Sequence, residues 1–282
     1  MIRMIMHGCN GRMGQMISDI AAKEEGISIV AGVDLYGGKK NDYPVFETLS
    51  DCDAEADVLV DFTGSAAFDG LMDWCVDNNM PCVLCSTGLN EAQLKRVNEA
   101  AEKIAILRSA NMSMGINTLM KVLKEVAPVF AKAGFDIEVV EKHHNQKLDA
   151  PSGTALALAD SVNDAFEEKY EYVYDRSSRR ETRPAKEIGI SAVRGGTIVG
   201  DHDVIFAGTD EVVTFSHMAY SRAVFAKGAV SAAKFLAGKK PGMYDMAAVN
   251  YRDMKVGKRG KVTVGVGSGR VVGDRELIEN AV

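Results

Sequence analysis

The chain has 282 residues, 46% hydrophobic and 26% charged, enough to bury a sizeable core and slightly more than one compact core organises, so two domains are expected. Its 33 Lys and Arg against 39 Asp and Glu leave a net charge of −6, a sign that repels a phosphate backbone and argues against nucleic-acid binding. No apolar run approaches the ~20 residues of a membrane-spanning helix, and Gly8, Gly11 and Gly14 break up the N-terminus before a secretory apolar region can form, so a cytoplasmic protein with no membrane partner is expected.

Residues 2 to 6 read as an apolar strand, Gly8 to Gly14 as a glycine loop and 12 to 23 as a helix with Met13, Met16, Ile17 and Ile20 on one face. A second strand, 27 to 33, ends at Asp34. The alternation continues with strand 57 to 62, helix 66 to 78, strand 82 to 86, helix 91 to 102 and strand 104 to 108. Apolar strands separated by helices predict a doubly wound parallel sheet covered on both faces. Five cysteines with no disulfide-framework spacing fit a reducing compartment. Cys82 and Cys85 lie three apart on a strand and point to opposite faces, which argues against a shared metal.

After Asn111 the texture changes. A helix is predicted over 114 to 133, then a strand over 135 to 144 whose Phe135, Ile137 and Val139 share a face running on into Glu141 and His143. A helix over 152 to 166, a polar loop with Arg176, Arg179, Arg180 and Arg183, strands near 187 to 193, 198 to 207 and 210 to 218, and a helix from Arg222 through Leu236 complete a smaller α+β domain and a return to the first. The predicted division is 1 to 112 with 222 to 249 for a dinucleotide, 113 to 221 for substrate binding and oligomerisation, and 250 to 282 as an extension.

In Gly8-Cys9-Asn10-Gly11-Arg12-Met13-Gly14 the loop joins a strand to a helix, and Asp34 ends the next strand. Glycines let backbone approach a pyrophosphate, the helix N-terminus offers free N–H groups, and the carboxylate accepts from ribose hydroxyls. This predicts a bound dinucleotide. Asp34 followed by Leu35 favours NADH, because a 2′-phosphate is repelled by a carboxylate, while Lys39 and Lys40 leave NADPH open.

A second cluster runs from His143 to Thr154. Gly153 and Thr154 near a helix N-terminus form an anion site suited to a carboxylate, Lys147 adds a cation, and a histidine beside them is a candidate general acid. The plainer alternative is a strand end with surface histidines and an N-capped helix.

The run Glu141-x-His143-His144-x-x-Lys147-x-Asp149-Ala150-Pro151-Ser152-Gly153-Thr154-Ala155, with the opening Gly-x-x-Gly-Arg-Met-Gly, closely resembles the dihydrodipicolinate reductase family. Ser86-Thr87-Gly88, Ala110-Asn111-x-Ser113-x-Gly115 and Arg194-Gly195-Gly196 extend the resemblance to residue 249 or so. It implies a Rossmann-type parallel sheet plus a mixed-sheet substrate domain, and a homotetramer assembled through that second domain. The implied activity is reduction of a cyclic dicarboxylate with NADH or NADPH in the diaminopimelate route to lysine. Gly8, Cys9, Asn10, Gly11, Arg12 and Met13 would wrap the pyrophosphate and Asp34 hold the ribose. Cys85, Ser86, Thr87, Ser109, Ala110, Asn111 and Met112 would line the nicotinamide side. His143 would be the general acid and Lys147 a second proton donor, with His144, Gly153 and Thr154 on the substrate carboxylate. A dinucleotide-binding redox sensor and a homoserine- or aldehyde-type dehydrogenase are the rival readings, and neither needs the His143–Thr154 cluster.

Three features carry plainer expectations. The basic loop from Arg176 to Arg183 reads as a solvated loop, because isolated charge runs usually face water. His202 and His217 read as structural strand-end residues. The extension from residue 250, with seven basic against four acidic residues, suggests only a strand hairpin laid on the surface or against a neighbouring subunit.

Overall fold

The computed structural model describes residues 1–174 and 176–250. Seven strands form one parallel sheet: β1 (Ile2–His7), β2 (Ile27–Val33), β3 (Val45–Phe46), β4 (Val58–Asp61), β5 (Cys82–Leu84), β6 (Ala105–Leu107) and β12 (Gly242–Tyr244), ordered β12-β6-β5-β4-β1-β2-β3. Helices α1 (Arg12–Ala21) and α6 (Ala223–Leu236) cover one face and α2 (Phe68–Asp77) and α3 (Glu91–Ala101) the other. The strands are short and apolar because both faces are buried. Cys82 accordingly packs with Leu71 and Met72 on one side, and Cys85 against the opposite cluster of Met6 and Leu107, as the strand alternation predicts. A hydrogen bond to Cys75 and burial push the Cys82 thiol up, and burial with Asp61 nearby pushes up that of Cys85, so neither is a ready thiolate.

Chain order reverses between β1 and β4, so the crevice above their C-terminal ends is the place where an open α/β sheet binds ligands. Gly14 brings α1 down onto this crevice. A Cβ there would lie 2.2 Å from the Gly8 carbonyl oxygen, so only glycine permits the close helix–strand packing.

A second, mixed sheet comprises β7 (Asp136–His143), β8 (Glu171–Val173), β9 (Glu187–Arg194), β10 (Asp201–Ala207) and β11 (Val212–Met218), in the order β11-β10-β7-β9-β8. Helices α4 (Met114–Lys132) and α5 (Gly153–Asn163) pack on one of its faces around Ile137, Val139, Val204 and Phe206. On β7 alternate residues Ile137, Val139, Glu141 and His143 are buried, so the face that begins as core ends as a buried acid and a histidine. A short helix, α7 (Met246–Asn250), ends the described chain. The extension beyond it lies outside the described residues.

The basic loop differs from expectation. Arg183 is tied to Glu138 and Asp136 at 2.9 and 2.7 Å, Arg176 reaches Glu138 at 2.9 Å, and Arg179 pairs with Glu187. Three of the four guanidiniums fasten the loop to β7 and β9, because Glu138 and Glu187 lie beneath it, while Arg180 is exposed as expected. A Cβ at Gly189 would lie 1.8 Å from Glu138 Oε2, so that glycine makes room for the network.

Candidate active site

The glycine loop is built as its spacing requires. Gly8 turns the chain at φ +83° while its N–H bonds the Val33 carbonyl at 2.8 Å, and Gly11 is the N-cap of α1 with no side chain over the free N–H groups. The Asp34 carboxylate accepts from the Asn10 and Tyr36 N–H groups at 2.8 and 2.9 Å, which ties the loop to the end of β2. Asn10 is held through its side chain by Asn41 at 2.9 Å and by a bond to the Tyr36 carbonyl. Cys9 is fully buried with its thiol against Gly32, and burial, with Asp34 nearby, pushes that thiol up to about 11; only its backbone belongs to the loop.

Two cavities flank the loop. One, of about 600 Å³, contains Gly8, Asp34, Leu35, Tyr36 and Thr63; the other, of about 590 Å³, contains Arg12, Met13, Cys85, Ser86, Thr87, Ser109, Ala110, Asn111 and Met112. Gly11 and Phe62 line both, so a trough passes over the glycine loop with the predicted ribose residue at one end and the predicted nicotinamide residues at the other. Arg222 also lines the second cavity.

Under that end lies a group the sequence reading passed over. Asp61, fully buried at the end of β4, accepts from Ser86 Oγ at 2.5 Å and Thr63 Oγ1 at 2.7 Å, and lies 3.0 Å from His7 Nδ1. A carboxylate closing the apolar run Val58-Leu59-Val60 was its signal. It fixes the Ser86 hydroxyl from below.

The second cluster centres on Glu141. Fully buried, it meets His143 Nδ1 at 2.5 Å through Oε2, accepts both Arg194 terminal nitrogens at 2.7 and 2.8 Å, and accepts the Ser152 N–H at 2.9 Å. Burial pushes the Glu141 carboxyl up, and the Arg194, His143 and Ser152 bonds outweigh it, so the group stays below the usual range. Burial lowers His143, Glu141 pushes back, and Lys147 and Arg194 add to the lowering. The Glu141-x-His143 spacing on one strand face was visible in the sequence; the partner on β9, Arg194, was not.

α5 begins beside this pair. Ser152 caps it, accepting the Ala155 N–H at 3.1 Å, and the Asp149 carboxylate takes the Gly153 N–H, so a carboxylate already sits at the N-terminus of the helix. Lys147 Nζ lies 2.8 Å from Asp149 Oδ1. The His144 N–H is held by the Ile198 carbonyl at 2.7 Å. The two halves meet at Asn111, which lines the second cavity and donates through Nδ2 to Thr154 Oγ1 at 2.9 Å. Asn111 is in turn locked by the Ser113 N–H at 2.7 Å and by Asn117 Nδ2 on its carbonyl at 2.7 Å.

Family models for the dihydrodipicolinate reductase N-terminus and C-terminus match residues 2–112 and 115–249. The chain belongs to the dihydrodipicolinate reductase family. It is therefore an oxidoreductase, and the reductases of this family use NAD(P)H. A 4-hydroxy-tetrahydrodipicolinate reductase of Caldanaerobacter subterraneus subsp. tengcongensis is 53% identical over 250 residues, 87% of this chain and 97% of that protein. One from Clostridium novyi is 45% identical over 246 residues, again 87% and 97%. Among solved structures, a dipicolinate-bound dihydrodipicolinate reductase from a Paenisporosarcina species matches with a TM-score of 0.71 and 26% identity, covering 88% of this chain and 99% of that one. A myo-inositol dehydrogenase from Corynebacterium glutamicum, at 10% identity and a TM-score of 0.57, shares the fold alone.

Proposed function

We propose that this chain reduces 4-hydroxy-tetrahydrodipicolinate to tetrahydrodipicolinate in the diaminopimelate route to lysine, as a cytoplasmic homotetramer. Residues 1 to 112 with 222 to 249 carry the cofactor in this reading, and residues 113 to 221 carry the substrate and the oligomer contacts. The observation that carries it is the Asn111–Thr154 hydrogen bond, which brings the α5 N-terminus to the lip of the trough.

The trough suits a dinucleotide. A Cβ at Gly8 would sit 3.1 Å from the Phe62 carbonyl, and Gly11 leaves the N-terminus of α1 bare, so backbone N–H groups from Gly8 to Met13 would meet a pyrophosphate. Asp34 would hold the ribose, and Cys85 to Thr87 with Ser109 to Met112 the nicotinamide. When bound, NADH or NADPH supplies a hydride. The Asp34-Leu35 pair favours NADH.

On the substrate side, Lys147 and the Gly153 and Thr154 N–H groups hold a carboxylate with His144, fixing the ring in register. Reduction at the ring carbon opposite nitrogen leaves an electron-rich enamine carbon, which takes a proton from His143 Nε2. Glu141 fixes the ring and stabilises its charged form, while Arg194 keeps Glu141 ionised. A Cβ at Gly200 would stand 3.0 Å from His143 Nε2, so the glycine leaves that nitrogen open to its target.

Cofactor consumption with freshly prepared substrate tests the reading, with NADH and NADPH compared for the parent, His143→Ala and Lys147→Ala. Turnover by the parent, with a loss of about 10²-fold or more in His143→Ala, is expected. A parent that consumes neither cofactor refutes the assignment, and a Lys147→Ala variant within about threefold of the parent refutes the role given to that lysine.

A further inference from the structure

A second imidazole stands against the proposed acid. His202, on β10, is 4% exposed, and its ring meets that of His143 edge-on, with centroids 5.1 Å apart and an interplanar angle of 76°. Its Nε2 lies 3.1 Å from Ser152 Oγ, the hydroxyl that caps α5. Its Nδ1 is buried and has no hydrogen-bond partner among the described residues. Burial, with His143 close by, pushes its pKa down to about 4, so near neutral pH the ring is uncharged and carries one N–H.

Where that hydrogen sits decides what Ser152 does. With the hydrogen on Nδ1, the ring buries an N–H with no acceptor, the rarest kind of unsatisfied group in folded proteins. Ser152 would then spend its only hydrogen on Nε2. With the hydrogen on Nε2, the ring donates to Ser152 Oγ, which already accepts from Ala155. Both lone pairs of the hydroxyl are then used, its own hydrogen is no longer spent on Nε2 and can meet an incoming acceptor, and Nδ1 is left as a bare acceptor, a lesser cost than a buried N–H with none.

We propose that His202 is a positioning residue: its Nε2–H holds Ser152 Oγ as an acceptor and turns the hydroxyl hydrogen toward the N-terminus of α5, as one more donor to a substrate carboxylate. The same ring lies edge-on against His143, whose own orientation is set by Glu141, so the effect of His202 runs through the Ser152 hydroxyl. Gly200 makes room for the His143 ring, since a Cβ there would stand 3.0 Å from His143 Nε2, whereas at 3.6 Å from His202 Cε1 it would make only ordinary contact. The inference rests on the reductase reading for the identity of the carboxylate, whereas the tautomer does not.

Nitrogen-15 NMR of the histidine-labelled full-length protein should therefore show His202 protonated at Nε2 and bare at Nδ1. In kinetics, His202→Leu should raise the substrate KM about tenfold, the effect of one hydrogen bond to a charged group. Its kcat should stay within about threefold and its NADH KM should not change. His202→Gln, whose amide nitrogen reaches the same hydroxyl, should recover most of the loss. In a Ser152→Ala background His202→Leu should add nothing, since the hydroxyl it acts through is gone. An Nδ1–H tautomer, an unchanged substrate KM in His202→Leu, or additive effects in the double variant would each overturn the inference. If His202→Leu does not fold, the tautomer and a His202→Gln variant still decide it, an unrecovered KM in the latter counting against. Failure of the parent to turn over the substrate would instead remove the reductase reading and leave the tautomer standing.

Discussion

Glu141→Gln keeps the shape of the buried side chain and removes its charge, so it separates what the carboxylate does for stability from what it does for His143. In the folded chain Glu141 accepts three hydrogen bonds, two from Arg194 and one from the Ser152 N–H, and pairs with His143 at 2.5 Å. Whichever way the amide lies, its NH₂ group meets an Arg194 N–H, donor against donor, with the Ser152 N–H beside it in one orientation and His143 Nδ1 in the other. Removing one partner of a buried ion pair costs about 3–5 kcal/mol. Arg194 keeps 20% of its side chain exposed, so water takes up part of the loss and the low end, about 3 kcal/mol, is expected. For a chain of this size that lowers Tm by about 6–12 °C, readable by calorimetry.

The catalytic consequence has a definite sign. Burial lowers the His143 pKa, with Lys147 and Arg194 adding to the lowering, and Glu141 raises it through its hydrogen bond and charge. A general acid works while protonated, so activity falls as pH rises through its pKa. Without the carboxylate that fall moves to lower pH, and turnover at pH 7.5 drops about tenfold or more while recovering toward the parent as the assay is acidified. A variant whose high-pH limb coincides with that of the parent would refute the reasoning, even if its Tm fell, because the carboxylate would then be structural only.

Three further outcomes follow from the geometry. Gly200→Ala places a methyl group 3.0 Å from His143 Nε2; kcat should fall about tenfold or more with the NADH KM unchanged, and parent-like kcat would contradict the placement of the acid's open face. His202, facing His143, Glu141, His217 and Lys147, has a folded pKa of about 4 below its usual 6.5, so the folded state is favoured above 6.5 and loses stability as pH falls toward 4. By pH 5 this amounts to about 2 kcal/mol, and urea melts at pH 7 and pH 5 should show the loss shrinking in His202→Gln. Asp34→Ser should lower the ratio of kcat/KM with NADH to that with NADPH by about fivefold, since one charge pair at 4 Å in water is worth about 1 kcal/mol; an unchanged ratio would mean that Asp34 does not face the 2′ position.

The parallel sheet was legible because its longer strands are apolar runs bounded by helical patterns, and β2 falls at Ile27–Val33 as read. β3, β8 and β12 were missed. At two or three residues each they are too short for any periodicity, and they exist because a neighbouring strand, β2, β9 or β6, offers free backbone groups. On β7 the buried alternation through Glu141 and His143 was readable, since a side-chain period of two needs only the strand itself. Arg194 and His202 reach the same point from β9 and β10, tens of residues away in sequence, and only the register of the mixed sheet brings them together. The basic loop failed for the same reason: its acidic partners lie on other strands, and a charge run looks solvated until those partners are placed.

The charges around His143 bear on when the acid is armed. In the unliganded site Glu141 is matched by Arg194, and Lys147 by Asp149, so no net charge is left to hold a proton on a half-desolvated imidazole, and the ring sits below its ordinary pKa. A dicarboxylate entering beside Lys147 and α5 brings two negative charges with no cation of its own. An opposite charge within about 4–6 Å raises such a group by about 1–3 units. On the proposed reading, then, the substrate itself charges the acid that will protonate it, and an empty site does not carry a stray proton donor beside the nicotinamide. The pH profiles separate this from a permanently charged histidine: the high-pH limb of kcat, which reports the bound complex, should lie at least one unit above that of kcat/KM, which reports the free enzyme. Coincident limbs would mean that the imidazolium is made by the protein alone, and the balance of Glu141, Arg194, Lys147 and Asp149 would need another account.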